Sequence, residues 1–140
     1  MENNSPLLSA HYVEKANHFL QGMKMLAEDL PAYRTSVALL AIHSAISFND
    51  AILAGIKGQR SKADDHSAAA RELLGICRER RLENTHGVRH LTSLLSSKSD
   101  VAYGEKRIDD NDIKSAMDKA ERFANWAYLH FKEALGARRS

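Results

Sequence analysis

Apolar residues recur along most of this chain at intervals of three and four residues, the spacing that places side chains on one face of an α-helix. The first helix that this pattern predicts covers residues 5–28. It begins at Ser5 and Pro6, because serine can cap a helix and proline suits its first position. Val13 and Leu20 lie on the face that we expect to be buried.

The second predicted helix covers residues 32–56 and ends at Gly58. Between residues 37 and 46 it is apolar nearly all round, which is typical of a helix surrounded by other helices. The uncharged run around this segment, residues 35–49, is too short to cross a bilayer and contains a histidine and several serines. We therefore expect the second helix to be the buried centre of the fold, without membrane contact.

The third predicted helix follows the polar and basic connection KGQRSKADD, in which Asp64 or Asp65 supplies the cap. The helix frays within residues 78–87, and its apolar face includes Cys77. Because of this helical phase, we expect Cys77 to be a buried, inert thiol, although basic residues follow it directly.

The fourth predicted helix begins at a Thr85 cap and ends near Gly104. The fifth opens at DDND, residues 109–112, and carries the clearest apolar stripe of the chain. This stripe continues through Phe131, and Gly136 is expected to stop the helix.

Composition supports one helical domain over residues 1–140. Two prolines and seven glycines are few for a β-rich domain, whereas the apolar fraction of 44% and the charged fraction of 27% are ordinary globular values. The expected fold is all-α, an antiparallel up-and-down bundle of four to five helices. A net charge of +2 does not by itself indicate nucleic acid. The single cysteine excludes an internal disulfide and, with no signal-peptide pattern, predicts a cytoplasmic protein.

Three polar residues of the second helix, His43, Ser47 and Asp50, are spaced to share one face. They could line a cleft between helices, since a buried aspartate needs a partner. The alternatives are a satisfied hydrogen-bond network in the core, or exposure of Asp50 near the helix end.

The pair His86 and His90 has the spacing of two metal ligands on a helix, but no carboxylate or cysteine accompanies it at a matching interval. The chain also has no glycine-rich phosphate loop and no serine nucleophile elbow. We therefore expect neither a metal nor a cofactor.

One aromatic residue, Trp126, lies off the apolar stripe of the fifth helix, with Leu129 beside it and Arg122 one turn before it. An exposed tryptophan predicts an interface with a partner, because aromatic anchors dominate interfaces. The alternatives are that Trp126 covers the end of the bundle, or that it stacks on Arg122 as a cation–π pair.

Five segments follow one another along the chain: YVEKANHFL, SVALLAIHSAISFNDAIL, DDHSAAARELL, LLSSKSDVAYG and DIKSAMDKAERFANWA. In this order they resemble the HEPN superfamily (higher eukaryotes and prokaryotes nucleotide-binding domain). The resemblance spans nearly the whole chain and implies a helical bundle that forms a homodimer. Many members are RNases, often toxins paired with a nucleotidyltransferase-like antitoxin or parts of defence systems, and others are binding modules without nuclease activity.

The active members carry an arginine and, four to six residues later, a histidine. Arginine can hold a phosphate with its planar fork, and histidine can move protons near neutral pH. At the matching place this chain has Lys98 and Tyr103, with Ser99 after the lysine. Lysine keeps the charge but not the fork, and tyrosine is a poor base at neutral pH. KSDVAY is closer to a branch that has an aspartate–tyrosine pair here, for which nuclease action is not well supported.

Three functions therefore stay open. The first is a non-catalytic domain that binds nucleotide, RNA or a protein, with Lys98, Tyr103 and His66 lining its groove. The second is a metal-independent RNase toxin using Arg81 and His86, which fit the arginine-then-histidine spacing within RLENTH. The third is a helical interaction protein without a ligand, built on the Trp126 and Leu129 face.

Overall fold

The computed structural model describes residues 5–61, 66–105 and 107–136, without the side chains of Ser5, His66 and Ser67. Asp64 and Asp65, the predicted caps of the third helix, lie outside the described residues, as does the Ser5 side chain that was expected to cap the first. The six α-helices of this part of the chain are α1 (Ser5–Leu26), α2 (Leu30–Lys57), α3 (His66–Glu79), α4 (His86–Ser96), α5 (Lys98–Tyr103) and α6 (Asp110–His130). The all-α bundle that the pattern predicts is confirmed.

The first two helices follow one another almost without a break. A 3₁₀ turn, Ala27–Asp29, separates α1 from α2, and Pro31 lies in the first turn of α2. That position needs no backbone N–H, so proline is tolerated there. At the other end, Gly58 takes the left-handed conformation with φ 81°, and its N–H donates to Ala54 O, as predicted for a glycine that ends a helix.

The central helix is α2, as predicted. It contributes a large share of the fully buried side chains, among them Val37, Ile42, Phe48 and Ile52. One window within Pro6–Lys57 is long and apolar enough to cross a membrane by length and composition, and 72% of it is buried inside the bundle. Burial of this kind is what a core helix requires.

Helix directions follow from contacts between distant residues. Ser9 Oγ donates to Ala51 O at 2.9 Å, so α1 begins where α2 ends and the two are antiparallel. Lys119 Nζ donates to Ser93 Oγ at 2.8 Å near the end of α4, while Gly87 at its start lies under Trp126. Therefore α4 and α6 are antiparallel as well.

Helices α2 and α6 run parallel and pack against each other through the centre of the bundle. Arg34 pairs with Asp110 at their starts, and the rings of Phe48 and Tyr128 lie 5.5 Å apart further along. Two parallel helices across the centre are the diagonal pair of an up-and-down bundle of α1, α2, α4 and α6. Helix α3 is the additional helix, packed on α4.

The predicted fourth helix is divided at Ser97, which was not expected. The hydroxyls of Ser96 and Ser97 both donate to Ser93 O, at 2.9 and 3.1 Å. The backbone N–H of Ser97 turns instead to Leu94 O at 3.2 Å. Serine hydroxyls therefore compete for the carbonyl that would continue the helix, and the chain restarts as α5.

Both ends of the last helical segment can be compared with the prediction. Asp109 caps α6, since its carboxylate accepts the Asp112 N–H at 2.8 Å. The predicted end at Gly136 is wrong: α6 stops at His130, and Phe131 has φ −130° and ψ 35°. The turn that follows buries Phe131 and Leu135 at the end of the bundle, so the apolar pattern continues although the helix does not.

Thr85 holds the cap position of the fourth helix, as predicted, but its side chain makes no capping hydrogen bond. Asn84 Oδ1 accepts the backbone N–H of His86 at 3.0 Å instead. Either residue type can serve as a cap, so the pattern alone did not decide between neighbours.

Candidate functional site

The polar face predicted on α2 is present but only partly solvent-accessible. Ser47 is buried, at 5% exposure, whereas His43 and Asp50 are half-buried. The His43 ring lies 5.7 Å from the ring of Phe19 on α1. His43 therefore lies at the junction of α1 and α2, whereas Ser47 is buried.

Asp50 is tied to the connection that follows α2. Its Oδ1 accepts the backbone N–H of Ser61 at 3.2 Å, and Ser61 Oγ donates to the carboxylate of Glu72 on α3. Burial raises the pKa of Asp50, and the Ser61 N–H and the nearby charge of Arg60 offset part of that rise. The partner that a half-buried aspartate needs is thus a backbone amide, as the network alternative expected.

Lysines from two other helices act on His43. Burial lowers the pKa of His43 most, followed by the charges of Lys98 on α5 and Lys15 on α1. Helix α5 packs against α2, which places Lys98 on this side of the bundle. We call His43, Asp50, Lys15, Arg60 and Lys98 the His43 surface.

Tyr103, which was predicted to act together with Lys98, does not lie on this surface. On a helix of six residues, positions 98 and 103 point in directions about 140° apart. Tyr103 is 87% exposed, whereas Lys98 is half-buried. The structure therefore separates Lys98 from Tyr103, and the side chain of His66 lies outside the described residues.

Arg81 lies in the connection between α3 and α4, His86 is the first residue of α4, and both are exposed. Arg81 has φ 58°, a left-handed conformation that side chains other than glycine rarely adopt. Helix α4 separates this connection from α5 by about 16 Å along its axis. The two predicted arginine-type sites, at residue 81 and at Lys98, therefore lie at opposite ends of α4.

Trp126 is not on an exposed face, so the interface prediction for it is wrong. It is 6% exposed, its Nε1 donates to Asn84 O at 3.0 Å, and its ring stacks with that of Phe123 at 5.8 Å. Arg122 pairs with Asp118 instead of the indole. Trp126 covers the end of the bundle, and Leu129, at 71% exposure, is left without its predicted aromatic neighbour on the surface.

A cleft of about 450 Å³ opens between α4–α5 and the first half of α6, on a different face of α5 from Lys98. One wall contains Ser93 of α4, Ser97 between the two helices, and Asp100 and Val101 of α5. Helix α6 contributes Asp112, Ser115 and Lys119 to the other wall. Sequence reasoning missed this site. The spacing of Ser93, Ser97 and Asp100 is a signal that could have found one wall.

Metal chemistry has no support in residues 5–61, 66–105 and 107–136, where no group of three or more histidine, cysteine or acidic residues could hold an ion.

Burial lowers the pKa of His90 and raises that of Cys77. Cys77 is fully buried, which agrees with the predicted inert thiol.

Comparison with known proteins adds no family: no protein-family model matches this chain, and no curated protein sequence matches it.

Proposed function

We propose that this chain is a HEPN-like, non-catalytic module that binds the phosphates of a nucleotide or of RNA at the His43 surface. The observation that carries the proposal is that α1 and α5 both pack on α2 and bring lysines near enough to the half-buried His43 for their charges to lower its pKa. Lys15 comes from α1 and Lys98 from α5, and Arg60 acts on the neighbouring Asp50. Phosphate oxygens accept hydrogen bonds from lysine and arginine irrespective of base sequence.

The residues present suit binding better than cleavage. Lys98 supplies a charge without the planar fork that holds a phosphate in two places. Tyr103 points elsewhere, so no second proton carrier accompanies Lys98 in the KSDVAY segment. His43, with its lowered pKa, is a neutral hydrogen-bonding group at neutral pH.

RNA cleavage by Arg81 and His86 is the second candidate function. The observation that favours it is the left-handed backbone at Arg81, because strained residues tend to occur at functional sites. A protein-binding role through Trp126 loses its support, since the indole is buried.

The resemblance extends the proposal to the protein's context. We propose a cytoplasmic homodimer that belongs to a toxin–antitoxin or defence type of system, with a nucleotidyltransferase-like protein as its antitoxin partner. Light scattering of the purified chain tests the dimer: a monomer at micromolar concentration would contradict this part alone.

Binding is tested by fluorescence anisotropy with a labelled short RNA and with a labelled mononucleotide. Lys15→Met and Lys98→Met should each weaken RNA binding and reduce the slope of log K against log salt by about 0.7. Lys132→Met, which removes an exposed lysine beyond α6, is the matched control and should leave binding unchanged. Native protein that binds neither probe, or equal effects of all three variants, would overturn the proposal.

Cleavage is tested on the same RNA. The proposal expects no cleavage by the native protein. Cleavage that His86→Ala and Arg81→Ala both abolish, with circular dichroism unchanged, would establish the RNase instead.

A further inference from the structure

The cleft between α4–α5 and α6 differs chemically from the His43 surface. The α4–α5 wall and the α6 wall run antiparallel. Residues late in α4 therefore lie opposite the middle of α6, and residues of α5 lie opposite its beginning. Lys119 Nζ and Ser93 Oγ meet at 2.8 Å and close one end. Towards the other end come Ser115 and Asp112 on α6, and Ser97 and Asp100 on the opposite wall.

The acidic residues of the lining are therefore concentrated at one end of the cleft, away from Lys119. Lys119 is half-buried at the closed end. Asp100, Glu105 and Asp112 are exposed at the open end, where Arg107 is the one accompanying cation among the described lining residues. Lys119 and Asp112 are seven residues apart on α6, which is about 10 Å along the helix.

Neither Lys119 nor the three carboxylates form an ion pair within the described part of the protein. The ion pairs there involve Lys24, Arg34 and Arg122 instead. The partner of Lys119 is a hydroxyl, which leaves donors for an anionic oxygen. A half-buried ammonium gains more from such a partner than an exposed one does.

Apolar side chains also line the cleft: Leu94, Val101, Ile108 and Ala116. A ligand that matches this lining has an anionic group, a short apolar chain and a cationic group. An anion alone would meet the carboxylates at the open end, and a cation alone would leave Lys119 unpaired.

We infer that this cleft binds a small zwitterion, with its carboxylate at Lys119 and Ser93 and its amine at Asp100 and Asp112. This site is separate from the His43 surface, and neither proposal depends on the other.

The test is a titration of ¹⁵N-labelled protein followed by amide chemical shifts. The probe is 6-aminohexanoate, and the matched probes are hexanoate and hexylamine, which keep the chain but lack one charge. We expect saturable shifts at the amides of Ser93, Gly104 and Ser115, with dissociation constants at least about tenfold higher for the two matched probes, because each lacks one charged hydrogen bond. Equal binding of all three probes, or shifts confined to other residues, would overturn the inference.

Variants separate the two ends of the cleft. Lys119→Met keeps the apolar stem and should bring the affinity for 6-aminohexanoate down to that for hexylamine. Asp112→Asn should bring it towards that for hexanoate. Lys114→Met, on the same helix but outside the lining, should change nothing. RNA binding by Lys119→Met should equal that of the native protein, so a failure here is distinguishable from failure at the His43 surface.

Discussion

The indole of Trp126 lies so closely over Gly87 that a Cβ at residue 87 would stand within 2.7 Å of three of its ring atoms. This contact joins the start of α4 to the end of α6. It allows the indole N–H to reach Asn84 O, so the ring is buried and hydrogen-bonded at once.

Gly87→Ala should therefore destabilise the protein by about 1–3 kcal/mol, because the ring and helix must separate. Gly75→Ala is the matched control: it also lies within a helix, and its Cβ would meet no atom within 4 Å. That substitution should stabilise by about 0.5–1 kcal/mol. Urea denaturation measures both, and a Gly87→Ala protein as stable as the native one would contradict the observed packing.

Arg81→Gly should stabilise the protein by about 1 kcal/mol, because glycine adopts the left-handed conformation without steric cost. The geometry around it is a helix end, with Leu82 N–H donating to Cys77 O at 2.9 Å. Arg81→Ala removes the same charge but keeps a Cβ, so it should show no such gain. Thermal unfolding of the two variants checks this, and equal melting temperatures would show that the backbone at residue 81 is not strained.

Stability should fall as the pH drops below about 6.5. Burial lowers the pKa of both His43 and His90 from 6.5 in the folded state, so the unfolded chain binds protons more tightly in this range. The stability that the two neutral histidines contribute is fully present above pH 6.5. It is lost as the pH falls towards their pKa values in the folded state. Asp50 acts in the opposite direction from pH 3.8 upwards, because burial raises its pKa.

The measurement is the free energy of unfolding at about pH 7.5 and about pH 5.5. His43→Gln keeps a hydrogen-bonding group but cannot titrate, so it should lose a smaller part of its stability between the two values. His90→Gln should remove a separate part of the stability loss between the two pH values. The stability of the double variant should depend least on pH. Identical pH profiles for native protein and double variant would exclude both histidines as the cause.

Cys77 should resist thiol reagents in the native protein and react on unfolding. Its side chain is fully buried, and burial raises its pKa, so the reactive thiolate is scarce and inaccessible. Labelling by iodoacetamide across a urea series should therefore follow the unfolding curve measured by circular dichroism. Fast labelling without denaturant would show that α3 opens locally, since Cys77 lies near the end of that helix.

The sequence pattern was enough to predict the helices and their order, because helical periodicity is a local property of the chain. It located α2 as the central helix, the Gly58 end of α2 and the burial of Cys77. It misplaced the end of α6, because Phe131 and Leu135 continue an apolar pattern on a turn that only packing reveals. It could not foresee that the hydroxyls of Ser96 and Ser97 would both donate to the Ser93 carbonyl and divide the fourth helix.

The composition of the candidate sites depended on packing between helices more than the helices themselves did. The spacing of His43, Ser47 and Asp50 identified one face of one helix, but Lys15 and Lys98 are distant in sequence and reach that face only because α1 and α5 pack on α2. Trp126 does not belong to the apolar stripe of its helix, yet it packs against the connection between α3 and α4, where its indole donates to Asn84 O. Periodicity within an element thus determined which residues form each helix. Contacts between elements, which the order of residues does not state, decided which polar groups share a surface and which aromatic ring is hidden.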